Sequence, residues 1–128
     1  MTEHFRTVIT HVSEEARQLV ESGMLILFAE GAPPELAEVS VLHAVKEISP
    51  MAGSPAVGAE FSLGGVLARI TAIGDYAWRK FGEIGHVVIN FNGASTTPRP
   101  GEICVSPVDL KALVAALTPG AEISLRTS

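Results

Sequence analysis

Apolar positions along the chain recur mostly with a period of two, in short runs broken by Gly, Pro, Asn and Ser, the signature of half-buried strands rather than long helices. "HFRTVITHV" (4–12) reads as a strand with Val8 and Val12 on one face and Phe5 and Ile9 on the other. Ser13 then caps a short helix, with Glu14 and Glu15 in the first turn, Ala16, Leu19 and Val20 as its apolar stripe and Gly23 as its stop. "MLILFA" (24–29) is a strand covered on both sides, and "EGAPPE" (30–35) is a loop, because Pro33-Pro34 forbids continuation. The next strand, about 37–46, sets Val39, Val41, His43 and Val45 on one face. "SPMAGSPAVG" (49–58) is a loop, and residues 60–73 form two strands joined at Gly64-Gly65.

Asp75 is expected to cap a single helical turn, "YAWRKF", ended by Gly82. "HVVINF" (86–91) is a strand closed by the Asn92-Gly93 turn, "STTPRPG" (95–101) is a loop and "EICV" (102–105) a further strand. Ser106 and Pro107 open a helix whose buried face is Leu110, Leu113, Val114 and Leu117; Thr118-Pro119-Gly120 stops it, and 121–126 is the last strand. The expected fold is all-β, or β-rich α+β: a small closed or partly open β-barrel with one or two short helices, in a single domain spanning 1–128. A strand left at the edge by either terminus would permit pairing into a homo-oligomer.

Composition narrows this picture. Hydrophobic residues make up 47% of the chain but aromatic ones only 5%, so the core is mostly aliphatic. A net charge of −5 supplies no electrostatic footprint for nucleic acid and no polybasic segment for anionic lipid. Cys104 is the single cysteine, which excludes an intrachain disulfide and fits the reducing cytoplasm. "MTEHFRTVIT" lacks the layout of a signal peptide, and no apolar run approaches the ~20 residues of a membrane helix. A soluble protein is expected, reaching any membrane process through a partner.

The sequence holds no phosphate loop, paired-cysteine motif or Gly-x-Ser-x-Gly elbow, and no ligand spacing for zinc; neither metal nor cofactor is expected. Ser40 and His43 face opposite sides of a strand, and Ser106 has a capping role. Four histidines remain. His4 and His11 read as surface or rim residues of the first strand. His43 and His86 each sit among Val and Ile, and His86 follows Gly85 and shares a face with Asn90. Two imidazoles on neighbouring strands would make a small polar site, one as a nucleophile and the other as its support. The pattern leaves a second option open: each is a core or rim histidine satisfied by hydrogen bonds.

"MLILFAEGAPPELAEVSVLH" (24–43) resembles a segment of the glucitol/sorbitol-specific IIA component of the bacterial phosphoenolpyruvate-dependent sugar phosphotransferase system. "FSLGG" (61–65), "ITAIGD" (70–75) and "EIGHVVINFNG" (83–93) match further blocks of that family in the same order, and "PGEICV" (100–105) and "PGAEISLR" (119–126) match more loosely. The resemblance implies a barrel-like cytoplasmic phosphocarrier. It accepts a phosphoryl group from HPr on the histidine matching His43 and passes it to a cysteine of the IIB partner, transiently engaging the IIB/IIC permease. His86, in the Gly-His-Val block, is carried over as a supporting residue. A shallow pocket walled by Val39, Val41 and Val45 would keep the His43 imidazole neutral. Where family members place a second polar residue or histidine close after the phosphoacceptor, this chain has "HAVKE", which leaves Lys46 or His86 to orient the phosphoryl group. That departure motivates the alternative: a non-catalytic β-barrel binding or regulatory module derived from such a carrier.

Overall fold

A computed structural model describes residues 2–48 and 53–127, of which 45–48 are described by their backbone alone. Eight strands and four short helices follow one another as β1 (Thr2–Val12), α1 (Glu14–Glu21), β2 (Met24–Ala29), α2 (Pro34–Ala37), β3 (Val41–Ile48), β4 (Glu60–Leu63), β5 (Val66–Ile73), α3 (Ala77–Ile84), β6 (Val87–Asn90), β7 (Glu102–Val105), α4 (Leu110–Ala116) and β8 (Glu122–Thr127). The strands close into a barrel in the order β1-β3-β2-β6-β7-β5-β4-β8. The expected small barrel is therefore closed, with four short helices among the described residues where one or two were expected.

Closure corrects one expectation directly. β1 pairs with β8, Thr2 opposite Thr127 and Thr7 opposite Ile123, so neither terminal strand is the free edge that pairing between chains would use. Six of the eight strand pairings are antiparallel; β2 with β3 and β6 with β7 run parallel. The inward positions of β1 are Phe5, Thr7 and Ile9, and they meet Leu25, Leu27, Val41, Phe61, Ile89 and Leu125 in an aliphatic interior with few rings. The β4–β5 hairpin turns at Gly64-Gly65, both with positive φ, as a two-residue turn of the primed kind requires.

The helices begin and end where local chemistry allows. Ser13 caps α1 by accepting from the Ala16 amide, and Arg17 of α1 donates to the Leu117 carbonyl at the end of α4. Four boundaries differ from the sequence reading, the first being the start of α3, where the cap position is Tyr76 without a side-chain bond rather than Asp75. The Pro-Pro segment holds a single helical turn, α2, because Pro34 at the first helical position needs no amide partner; β3 consequently begins at Val41, and Val39 lies in the turn before it. The α4 cap is Asp109, whose side chain accepts from the Lys111 amide, while Ser106 Oγ accepts from the Arg69 amide 3.0 Å away. Gly82 does not stop α3. The helix runs on to Gly85, whose φ of 66° places it in the left-handed region and whose N–H closes on the Phe81 carbonyl at 2.8 Å.

Candidate functional site

β3 carries His43 into the interior on the same face as Val41, beside Ala29 of β2 and Ile9 of β1. His43 is 0% exposed. Its ring lies parallel to the Phe81 ring, centroids 5.4 Å apart, so α3 covers it as a lid. Phe81 packs in turn on Phe5 and on Trp78. The expected shallow pocket is instead a sealed interior position. Val39 stands outside it, and the side chains of Val45 and Lys46 lie outside the described residues.

Both imidazole nitrogens of His43 are engaged. Nε2 lies 2.7 Å from the Gly85 carbonyl oxygen and Nδ1 2.6 Å from Thr7 Oγ1. A carbonyl only accepts, so the neutral ring carries its proton on Nε2, and the Thr7 hydroxyl donates to Nδ1. Burial pushes the imidazole pKa below its ordinary value, opposed by the Gly85 carbonyl and by the Glu30 carboxylate. The ring is thus held neutral in one tautomer. Thr7, itself 0% exposed, is the residue that sequence reading missed. Its signal was present: it stands between Phe5 and Ile9 on the inward face of β1, a hydroxyl where an aliphatic side chain would otherwise sit.

His86 immediately precedes β6, on the other side of the barrel wall. Its Nδ1–H donates to the Leu27 carbonyl at 3.0 Å, and its ring stacks on Phe28 with centroids 4.8 Å apart. Burial lowers its pKa, the Leu27 carbonyl raises it, and nearby Lys80 lowers it again. His43 and His86 do not form the expected joint polar site. They are linked through the backbone, since the carbonyl that holds His43 belongs to Gly85, the residue before His86. Asn90, on the His86 face, donates instead to Glu102 at 2.8 Å.

The other two histidines divide. His11 is exposed, as expected. His4 is 4% exposed, with Nδ1 3.0 Å from the Gly53 carbonyl and Nε2 2.6 Å from Thr127 Oγ1. The rim assignment of His4 is corrected: its partners lie 49 and 123 residues away, beyond the reach of any local pattern. Cys104 is buried, and burial raises its thiol pKa. Among the described residues no group of three or more His, Cys, Asp or Glu is placed to hold a metal ion, and no helix is long and apolar enough to cross a membrane.

Comparison with known proteins converges on one family. The family model for the PTS system glucitol/sorbitol-specific IIA component matches residues 4–124. The glucitol/sorbitol-specific EIIA components of Shigella flexneri and of Escherichia coli K12 are each 35% identical over 106 residues, covering 83% of this chain and 84% of theirs. In the crystal structure of a PTS IIA component from Enterococcus faecalis V583 the fold recurs with a TM-score of 0.71 at 19% identity, covering 95% of this chain and 99% of that one. The family and the relatives make the protein a phosphotransferase component that works with sugar-specific partners of the same system. With the match running past both His43 and His86 and into β8, the chain belongs to the glucitol/sorbitol-specific IIA component family.

Proposed function

We propose that the protein is a cytoplasmic phosphocarrier in glucitol/sorbitol-type uptake, taking a phosphoryl group from phospho-HPr on His43 and passing it to the IIB component. The supporting observation is the state of His43: neutral, stacked on Phe81 and fixed in one tautomer by Thr7 and Gly85. A neutral imidazole is the nucleophilic form, and phosphoryl transfer asks the protein chiefly for positioning.

Nε2 is the proposed acceptor atom, because its partner is the backbone carbonyl at the end of the covering helix α3. Gly85 ends the helix that lies over the ring, whereas Nδ1 is held by Thr7, a side chain of the barrel strand β1. For Nε2 to attack, its proton must pass to Nδ1, where Thr7 Oγ1 turns from donor to acceptor, and the Gly85 carbonyl must swing aside. The freed Nε2 lone pair then bonds phosphorus as the phosphorus–nitrogen bond of the donor phosphohistidine breaks, and that electron pair returns to the donor imidazole. In the second step a cysteine thiolate of IIB takes the phosphoryl group and the pair returns to Nε2. Breaking the Gly85 contact costs about 1–3 kcal/mol, a barrier that docking of a partner on α3 can offset.

The complete burial of His43, with both nitrogens occupied, favours the second reading, in which the barrel is a binding or regulatory module without transfer. One experiment separates the two. The protein is incubated with phosphoenolpyruvate, enzyme I and HPr, and acid-labile, base-stable phosphate is measured. The carrier reading expects label on wild type and none on His43→Ala; equal labelling of both overturns His43, and no label on either supports the module.

A further inference from the structure

The outer face of the barrel wall holds a polar cleft that the His43 chemistry does not use. Its volume is about 440 Å³, and three elements build it: α3 supplies Lys80, the start of β6 supplies His86 and Val88, and the turn into β7 supplies Arg99, Gly101 and Glu102. The turn is firmly set. Its Pro100 carbonyl accepts from the Tyr76 amide at 2.8 Å, and the Glu102 carbonyl accepts from Gly74 at 2.9 Å. A β-carbon at residue 74 would lie 2.2 Å from the Pro100 oxygen, so only glycine allows turn and strand to approach this closely. The Lys80 ammonium lies across Gly101, where a β-carbon would stand 3.3 Å from Nζ.

The charges in the cleft do not cancel. The Glu102 carboxylate receives Arg99 Nη1 on one oxygen and Asn90 Nδ2 on the other, each at 2.8 Å, so its charge is answered inside the protein. Lys80 forms no ion pair among the described residues, which leaves one positive charge over the cleft. His86 is oriented by the Leu27 carbonyl and the Phe28 ring, and with Nδ1 committed its available nitrogen is Nε2. The groups facing this imidazole are Lys80 from α3 and Arg99 and Glu102 from the β7 turn; β2 presents Phe28 and a backbone carbonyl.

We infer that this cleft is a binding subsite for inorganic phosphate or a small phosphate monoester, with Lys80 neutralising the ligand and His86 Nε2 sharing a proton with it. A protonated phosphate donates its P–OH hydrogen to neutral Nε2. A dianion binds as the ring takes up a proton from solvent and donates Nε2–H. Sulfate has no such hydrogen at neutral pH and is bound more weakly. The site lies apart from His43, on the opposite side of the barrel wall, and does not depend on phosphoryl transfer there.

Histidine-ring nitrogen NMR on the intact protein tests this, with inorganic phosphate and then sulfate titrated at constant ionic strength over a range of pH. The expected result is a saturable shift at His86, a rise in the His86 pKa when phosphate is present, weaker saturation with sulfate and no change at His43. Lys80→Gln should weaken phosphate binding about tenfold or more. Linear, non-saturating shifts or equal binding by Lys80→Gln would each overturn the assignment. The pKa rise in wild-type protein needs no variant, so a folding defect in Lys80→Gln would not decide the matter.

Discussion

His43 and His86 are the same side chain in two versions of one setting. Each gives one ring nitrogen to a backbone carbonyl, and each has its pKa lowered by burial. They differ in the other nitrogen. Inside the barrel it meets the Thr7 hydroxyl and an aromatic lid; outside it faces a cleft with a lysine that forms no ion pair among the described residues. The backbone carbonyl sets the tautomer in both cases, and the environment of the second nitrogen decides what the ring can do. A sealed imidazole needs an opening event before it reacts, whereas an open one can bind at once.

The largest expected effect tests which ring is the nucleophile. His43→Ala should reduce labelling by phospho-HPr to background, whereas His86→Gln should keep it within about tenfold, a difference of ~1.4 kcal/mol in barrier. Labelling lost equally in both variants would erase the distinction drawn between them.

Next comes the junction they share. Gly85→Ala must adopt a left-handed backbone, and its β-carbon would lie 2.7 Å from that of Ala29. Denaturant unfolding should show a loss of roughly 2–4 kcal/mol from backbone strain and overpacking together. Adding Ala29→Gly should restore only the packing part. Full recovery in the double variant would mean that the left-handed backbone costs nothing there.

Thr7→Val is expected to act on one histidine alone. Leaving buried Nδ1 without a donor costs about 1–3 kcal/mol of stability. Histidine-ring nitrogen NMR should show a changed tautomer balance at His43 and an unaltered spectrum at His86, with slower labelling. A loss of stability without any change at the His43 nitrogens would reduce Thr7 from a positioning residue to a packing one.

The smallest effect is common to both rings. Their folded-state pKa values are depressed, so the unfolded chain binds protons first, near pH 6.5. Their contribution is therefore complete above that pH and is lost as pH falls towards the folded values, with a slope of at most ~1.4 kcal/mol per pH unit for each group. Melting temperatures of wild type should fall from pH 7 to pH 5 more steeply than those of His43→Gln. Parallel slopes would show that the interior ring titrates as freely as an exposed one.

What the sequence discloses and what it hides follow from the range of each interaction. Alternation placed β1, a continuous apolar run placed β2, and the Gly64-Gly65 turn between β4 and β5 was legible because its requirement for positive φ is local. The α2 turn was hidden because Pro33-Pro34 reads equally as a loop or as a helix start. The extension of α3 through Gly82 was hidden because a buried Phe81 outweighs the helix cost of one glycine, about 1 kcal/mol. Alternation also marked His43 as a polar residue among valines. Its partners were out of reach: Thr7 is 36 residues away, brought beside it by the β1–β3 pairing, and Gly85 is 42 residues away at the end of α3. The parallel β2–β3 and β6–β7 pairings, which decide that closure, leave no local trace at all.

The pairing of β1 with β8 also dictates an order of events at the ribosome. The strand carrying Thr7 is made early and can zip onto β3 as soon as that strand emerges, but its second edge stays bare until residues 122–127 have left the exit tunnel. A nascent chain in this interval exposes apolar side chains and unpaired amides, which favours chaperone capture and disfavours stable domain formation during translation. With so many contacts between distant residues, the final step belongs to the slower class of small-domain folding, milliseconds to seconds once β8 is available.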